Sequence, residues 1–204
     1  VGERLALRRG FFTLDKAERE ETATKCKPLT DALAKAAKKN RGDKSASAYV
    51  EEALRSPPAV AGVDVPRCAG LMLRDLKAYR ARAMELNAVL DLKRIAVGMS
   101  RALEGEPGRF CPSAGPVPRE LTAVATEPYT SSPSDWSAPG WDCVGFDQTL
   151  PQHYQYELRT DAKAQTFVAI ARGFPVKGER AVTLSLSLPI ENGALMLSSD
   201  VMRQ

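Results

Sequence analysis

Val182-Thr183-Leu184-Ser185-Leu186-Ser187-Leu188 alternates apolar and polar side chains without a break. Successive side chains of a strand point to opposite faces, so the four apolar residues line one side and Thr183, Ser185 and Ser187 the other. That is the pattern of a sheet with one buried face. Two earlier runs, Tyr154-Gln155-Tyr156-Glu157-Leu158 and Thr166-Phe167-Val168-Ala169-Ile170-Ala171, are rich in the aromatic and β-branched residues that strands favour. After the alternating run, Asn192-Gly193 predicts a tight turn into a short edge strand over 194–198. Residues 151–204 therefore read as four sequential antiparallel strands.

Toward the N-terminus the texture changes. Pro107, Pro112, Pro116, Pro118, Pro128, Pro133, Pro139 and Pro151 exclude a long helix from residues 105–150, which read as loop with short strands. From Pro66 to Leu103 no proline intervenes, and the only glycines are Gly70 and Gly98, so the spacing predicts one helix over 66–104. Leu76, Tyr79, Ala83, Leu86 and Leu90 recur along it at alternating steps of three and four, while Arg80, Arg82, Asp91 and Arg94 fall elsewhere. That apolar line is the expected sheet-packing face. Residues 1–65 suit shorter helices: 12–25 capped by Thr13, 28–38 with Leu29, Leu33, Ala36 and Ala37 as its stripe, and 45–55, stopped by Pro57-Pro58. The fold class expected is α+β, with a helical region over 1–65 and a second domain over 66–204.

Apolar residues make up 44% of the 204, enough to build a real core and to set disorder aside. No run reaches the roughly 18 to 20 consecutive apolar residues that a membrane span needs. Residues 1–105 hold 21 Lys and Arg against 14 Asp and Glu, and residues 106–204 hold 8 against 11, so the helical half is basic. Nucleic acid is a conceivable partner for such a surface, but the aromatics there, Phe11, Phe12, Tyr49 and Tyr79, are too scattered to stack bases. Cys26, Cys68, Cys111 and Cys143 lack the close spacing of zinc or thioredoxin-like centres, and an even number of isolated cysteines points to two disulfides in an oxidising compartment. Three pairings are open. The favoured one joins Cys26 to Cys68 and Cys111 to Cys143, each within one half of the chain, closing loops of roughly 30 to 40 residues.

Catalytic constellations are not evident. His153 is the only histidine and begins a strand, no G-x-S-x-G elbow occurs, and the adjacent acids Glu20-Glu21 and Glu51-Glu52 point about 100° apart on a helix. Neither a phosphate-binding loop nor a dinucleotide fingerprint is present. The loop Arg172-Gly173-Phe174-Pro175-Val176-Lys177-Gly178-Glu179-Arg180 offers one carboxylate among three cations, too few anionic oxygens for calcium. No cofactor and no metal are expected. Trp136 and Trp141 flank Pro139-Gly140 beside Cys143, and they suit either a partner-binding patch or a core tucked against the sheet.

Residues 79–103, YRARAMELNAVLDLKRIAVGMSRAL, are followed in order by Phe110-Cys111-Pro112-Ser113, Ser131-Ser132-Pro133-Ser134-Asp135-Trp136, Pro139-Gly140-Trp141-Asp142-Cys143-Val144-Gly145-Phe146 and His153-Tyr154-Gln155-Tyr156. This series resembles the globular head and head-packing helix of type IV pilins and pseudopilins of deltaproteobacterial type, over about 125 residues from Tyr79 onward. The resemblance implies a long helix on an antiparallel sheet and a non-enzymatic, extracytoplasmic subunit of a type IV pilus or type II secretion-like system. Its partners would be other protein subunits or further copies of itself. The weak interaction candidates are Trp136, Trp141 and the helix stripe Leu76, Tyr79, Leu86 and Leu90. The family's hydrophobic N-terminal helix is not among these residues, so membrane attachment is expected only through an anchor preceding Val1. Arg9-Gly10-Phe11-Phe12-Thr13-Leu14-Asp15 is similar to a prepilin cleavage site, but charged residues follow it and it is read as coincidence. Two alternatives stand beside this reading: a free-standing periplasmic or secreted binding module with such a head, and a DNA-binding component acting through the basic half.

Overall fold

The computed structural model describes residues 14–40, 42, 46–105, 110–176, 178–191, 194–196 and 201–204. The Thr13 cap, the run resembling a cleavage site up to Thr13, the Asn192-Gly193 turn and residues 197–198 of the expected edge strand lie outside the described residues. The chain is α+β and divides into two compact units, residues 1–81 and 82–204. Their border falls inside the long helix and not at residue 65, because the first turns of that helix belong to the small N-terminal core.

In the first unit, α1 (Lys16–Thr24), α2 (Lys27–Asn40) and α3 (Ala46–Arg55) precede the start of α4 (Val65–Gly105). Asp15 caps α1: its carboxylate accepts from the Glu18 amide at 2.8 Å while Glu18 accepts from the Asp15 amide at 3.1 Å. This reciprocal box satisfies two of the amides that a helix start leaves without partners. The core joins Leu29 and Leu33 of α2, Leu54 of α3, and Ala69 of α4 around the Cys26–Cys68 disulfide. Leu29 and Leu33, four residues apart, share a face, as the periodicity predicts.

The second unit holds the rest of α4, β1 (Ala114–Val117), 3-10 turns over Leu121–Val124 and Pro133–Trp136, α5 (Pro139–Val144), β2 (Tyr154–Asp161), β3 (Thr166–Gly173), β4 (Val182–Glu191), β5 (Ala194–Leu195) and β6 (Met202–Arg203). The sheet has six described strands where four were expected. It is antiparallel throughout, in the order β1-β2-β3-β4-β5, with β6 also pairing to β4. The added strands are short and irregular: β1 includes Gly115 and Pro116, and β6 is two residues long, so neither carries an alternation that sequence reading detects. The register sets Tyr156, Ala171 and Leu184 side by side, and likewise Leu158, Ala169 and Leu186. These residues form the buried face, and they share one core with Ala88, Leu92, Ile95, Ala96, Met99 and Leu103 of α4. The first 3-10 turn packs on β2 and β3 and buries Val124.

The packing face of α4 corrects the expected stripe. Tyr79, Leu86 and Leu90 are exposed, and Leu76 and Ala83 are only partly buried. Apolar residues lie on two sides of this helix, so a period of 3.6 cannot by itself choose between them. Small residues decide it: Ala88 and Ala96 bring the backbone close to the sheet, and a Cβ at Gly98 would stand 1.9 Å from the Val144 carbonyl oxygen of α5.

Candidate functional site

Each tryptophan's surroundings decide whether the loop between β1 and β2 is a contact surface or a core. Trp136 ends a 3-10 turn and Trp141 lies in α5, where Pro139 in the first turn and Gly145 in a left-handed cap fix a six-residue helix. They are 5% and 1% exposed, with ring centroids 5.2 Å apart at 77°. Phe146 packs edge-on to Trp136 at 5.4 Å and to Tyr156 of β2 at 5.6 Å. Both indole N–H groups donate inside the molecule, Trp136 to Ser131 Oγ at 2.9 Å and Trp141 to the Gly115 carbonyl at 3.2 Å. Neither ring is therefore an interaction surface. They are the aromatic wedge that holds the loop against the sheet.

Asp91 escaped the sequence reading, which placed it on the wet side of the helix. It is 8% exposed and accepts from Tyr156 Oη at 2.8 Å, Gln148 Nε2 at 3.1 Å and Arg94 Nη1 at 3.0 Å. The Arg94 guanidinium also sits 5.1 Å over the Phe146 ring. Burial, and then the Asp91 charge, push the Tyr156 hydroxyl well above its ordinary pKa, so it remains a donor. A buried carboxylate with three donors is a structural tie between α4, the loop and β2. Its spacing from Ala88, Leu92 and Ile95 on the helix was the available signal.

The two disulfides join Cys26 to Cys68 and Cys111 to Cys143, with Cα atoms 5.5 Å apart in each, and no free cysteine remains. They fit an oxidising, extracytoplasmic environment. Among the described residues no helix is long and apolar enough to cross a membrane, and no cluster of His, Cys, Asp and Glu is placed to hold a metal ion. His153 is half-buried, and burial lowers its pKa. In the basic N-terminal unit, Arg67 and Arg74 bind Glu21 and Glu18 at 2.6 Å, and Arg80 pairs with Glu51. Arg74 and Arg67 hold Glu18 and Glu21 below the usual carboxylate range, and each of these pairs ties one cation to one carboxylate.

What remains at the surface is the outer side of α4 in the second unit. Leu86 is 55% exposed, Leu90 60% and Val97 41%, although their neighbours Ala88, Leu92, Ile95 and Met99 are buried. Residues four and seven apart share a helix face, so the three aliphatic side chains form one line pointing away from the sheet. Two of the stripe residues from the sequence, Leu86 and Leu90, thus meet Val97, which periodicity missed because the cation Lys93 interrupts the line. Exposed Arg82, Lys93, Arg94 and Arg101 border it. A shallow depression lined by Gly178, Glu179, Arg180, Val182 and Arg203 lies elsewhere on the unit. No protein-family model, curated protein or solved structure matches the chain.

Proposed function

We propose that this chain is a non-enzymatic structural or interaction subunit of pilin or pseudopilin kind, acting outside the cytoplasm with other protein subunits. One observation carries the reading: in residues 82–204 a helix packs along the buried face of an antiparallel sheet, and a loop closed by Cys111–Cys143 joins the two. That arrangement is the layout implied by the sequence resemblance. Three further features support it. The aromatic loop is wedged into the core and not opened as a reaction cleft, both disulfides suit an oxidising compartment, and an apolar line on α4 faces outward. A rigid head with a sticky helix face is suited to binding and has no need of turnover.

The test is where the protein goes in its own cell. Immunogold labelling and shear fractionation are expected to place it in surface filaments or with an envelope secretion complex. Recovery only as a free periplasmic or secreted protein would reject the filament reading in favour of a free-standing module. Salt-sensitive DNA binding at low micromolar protein would instead support the nucleic-acid alternative.

A further inference from the structure

The exposed line on α4 carries an inference that rests on the reading of this chain as a binding subunit. Leu86, Leu90, Lys93 and Val97 follow one another at steps of four, three and four, the spacing of a coiled-coil seam. The opposite side of this helix is already filled by the sheet, so these residues form a second apolar face that the described residues of 82–204 leave exposed. A Lys within a seam lays its aliphatic stem along the groove and holds its ammonium at the edge. Arg94 and Arg101 occupy positions beside the seam. Arg94 contacts Asp91 yet stays 56% exposed, and Lys93 and Arg101 have no ion pair among the described residues. Among the described residues at the C-terminal end of the helix, Glu104 supplies a carboxylate, and it accepts from Ser100 Oγ at 3.1 Å.

We propose that this stripe docks an amphipathic α-helix of another protein, one whose apolar seam is flanked by Asp or Glu. Charge selects this occupant. A second copy of the chain laid antiparallel, with Leu90 on Val97, sets Lys93 of each copy against Arg94 of the other. Laid parallel, every cation meets its own twin. Like charges across an interface select against such a pairing. An anionic bilayer is matched in charge but not in shape: within residues 82–204 the stripe is a single line of three aliphatic residues, and Trp136 and Trp141, which could have anchored it in an interface, are buried. A partner helix with acidic flanks satisfies both the seam and its border.

The experiment titrates the whole chain into two labelled synthetic helical peptides with the same leucine seam, one flanked by Glu and the other by Lys. Fluorescence anisotropy is expected to show the Glu peptide binding about tenfold tighter or better, with the preference shrinking as salt rises. The double substitution Lys93→Glu, Arg101→Glu is expected to reverse the order. Leu86→Gln with Leu90→Gln is expected to abolish binding and leave thermal unfolding unchanged, since both side chains face solvent. Equal binding of the two peptides, or binding of neither, overturns the proposal. So does a sedimenting dimer that the leucine substitutions dissolve, or binding confined to phosphatidylglycerol vesicles. A chain that enters filaments but ignores the acidic peptide loses only this inference. One that binds the peptide but never joins a filament or envelope complex loses only the pilin reading.

Discussion

Tyr156 of β2 donates a 2.8 Å hydrogen bond to Asp91 of α4, and this bond joins the sheet to the helix through the middle of the core. Removing the hydroxyl in Tyr156→Phe leaves Asp91 buried with Gln148 and Arg94 as its remaining donors. A cost of about 1–3 kcal/mol is expected, the range for a buried charged group losing one partner. Urea unfolding measures it. In a double-mutant cycle with Asp91→Asn, purely additive effects would show that the two side chains are not coupled.

Gly98 and Gly70 lie on the same helix and predict opposite outcomes. A methyl at Gly98 meets the Val144 backbone, so Gly98→Ala is expected to destabilise by about 1–3 kcal/mol through forced separation of α4 from α5. Nothing stands within 4 Å of a Cβ at Gly70, where alanine is expected to stabilise by about 0.5–1 kcal/mol through helix propensity alone. Thermal unfolding of the two variants, compared with the parent chain, tests the pair together.

The disulfides predict that unreduced protein resists alkylation at all four cysteines and takes up four labels only after reduction and unfolding. Replacing Cys111 and Cys143 by Ser opens a loop of sequence separation 32 and is expected to cost about 3–4 kcal/mol in the chain-entropy account. Chemical denaturation of that variant against the parent supplies the number.

Asp75 provides a pH dependence. Burial raises its carboxyl to about 6, and Oδ1 has no hydrogen-bond partner among the described residues. Since the unfolded value is about 3.9, the folded chain holds more protons between the two values. The stability this residue confers is therefore full at low pH and declines as pH rises from about 4 through 6. Asp75→Asn should flatten that decline in melting temperature. An unchanged slope would refute the assignment.

How far the fold could be read in advance depended on which residues leave a one-dimensional trace. The strict alternation of Val182 to Leu188 and the proline-free run after Pro66 mark β4 and α4, and both stand in the structure. The cysteine pairing also holds, because each half of the chain closes its own loop. β1 falls in the stretch read as loop with short strands but its position left no trace, and β6 left none at all, since their strand character comes from pairing with β2 and β4. The inner side of α4 was misread because leucine at 86 and 90 outweighs alanine at 88 and 96 on any hydropathy argument, whereas packing against a sheet rewards the smaller side chains. Asp91 was misread for a related reason: a carboxylate reads as wet until its donors, distant in sequence, are known.

The bridge from Cys111 to Cys143 encloses β1, both 3-10 turns and the beginning of α5, the most proline-rich and least regular part of the chain. Peptidases outside the cell seek out such segments. A single cut anywhere between those two cysteines leaves the pieces covalently tethered, with the aromatic wedge still seated. Residues 82–204 can thus be nicked there without shedding a fragment, and such damage becomes visible only once the sulfur link is reduced.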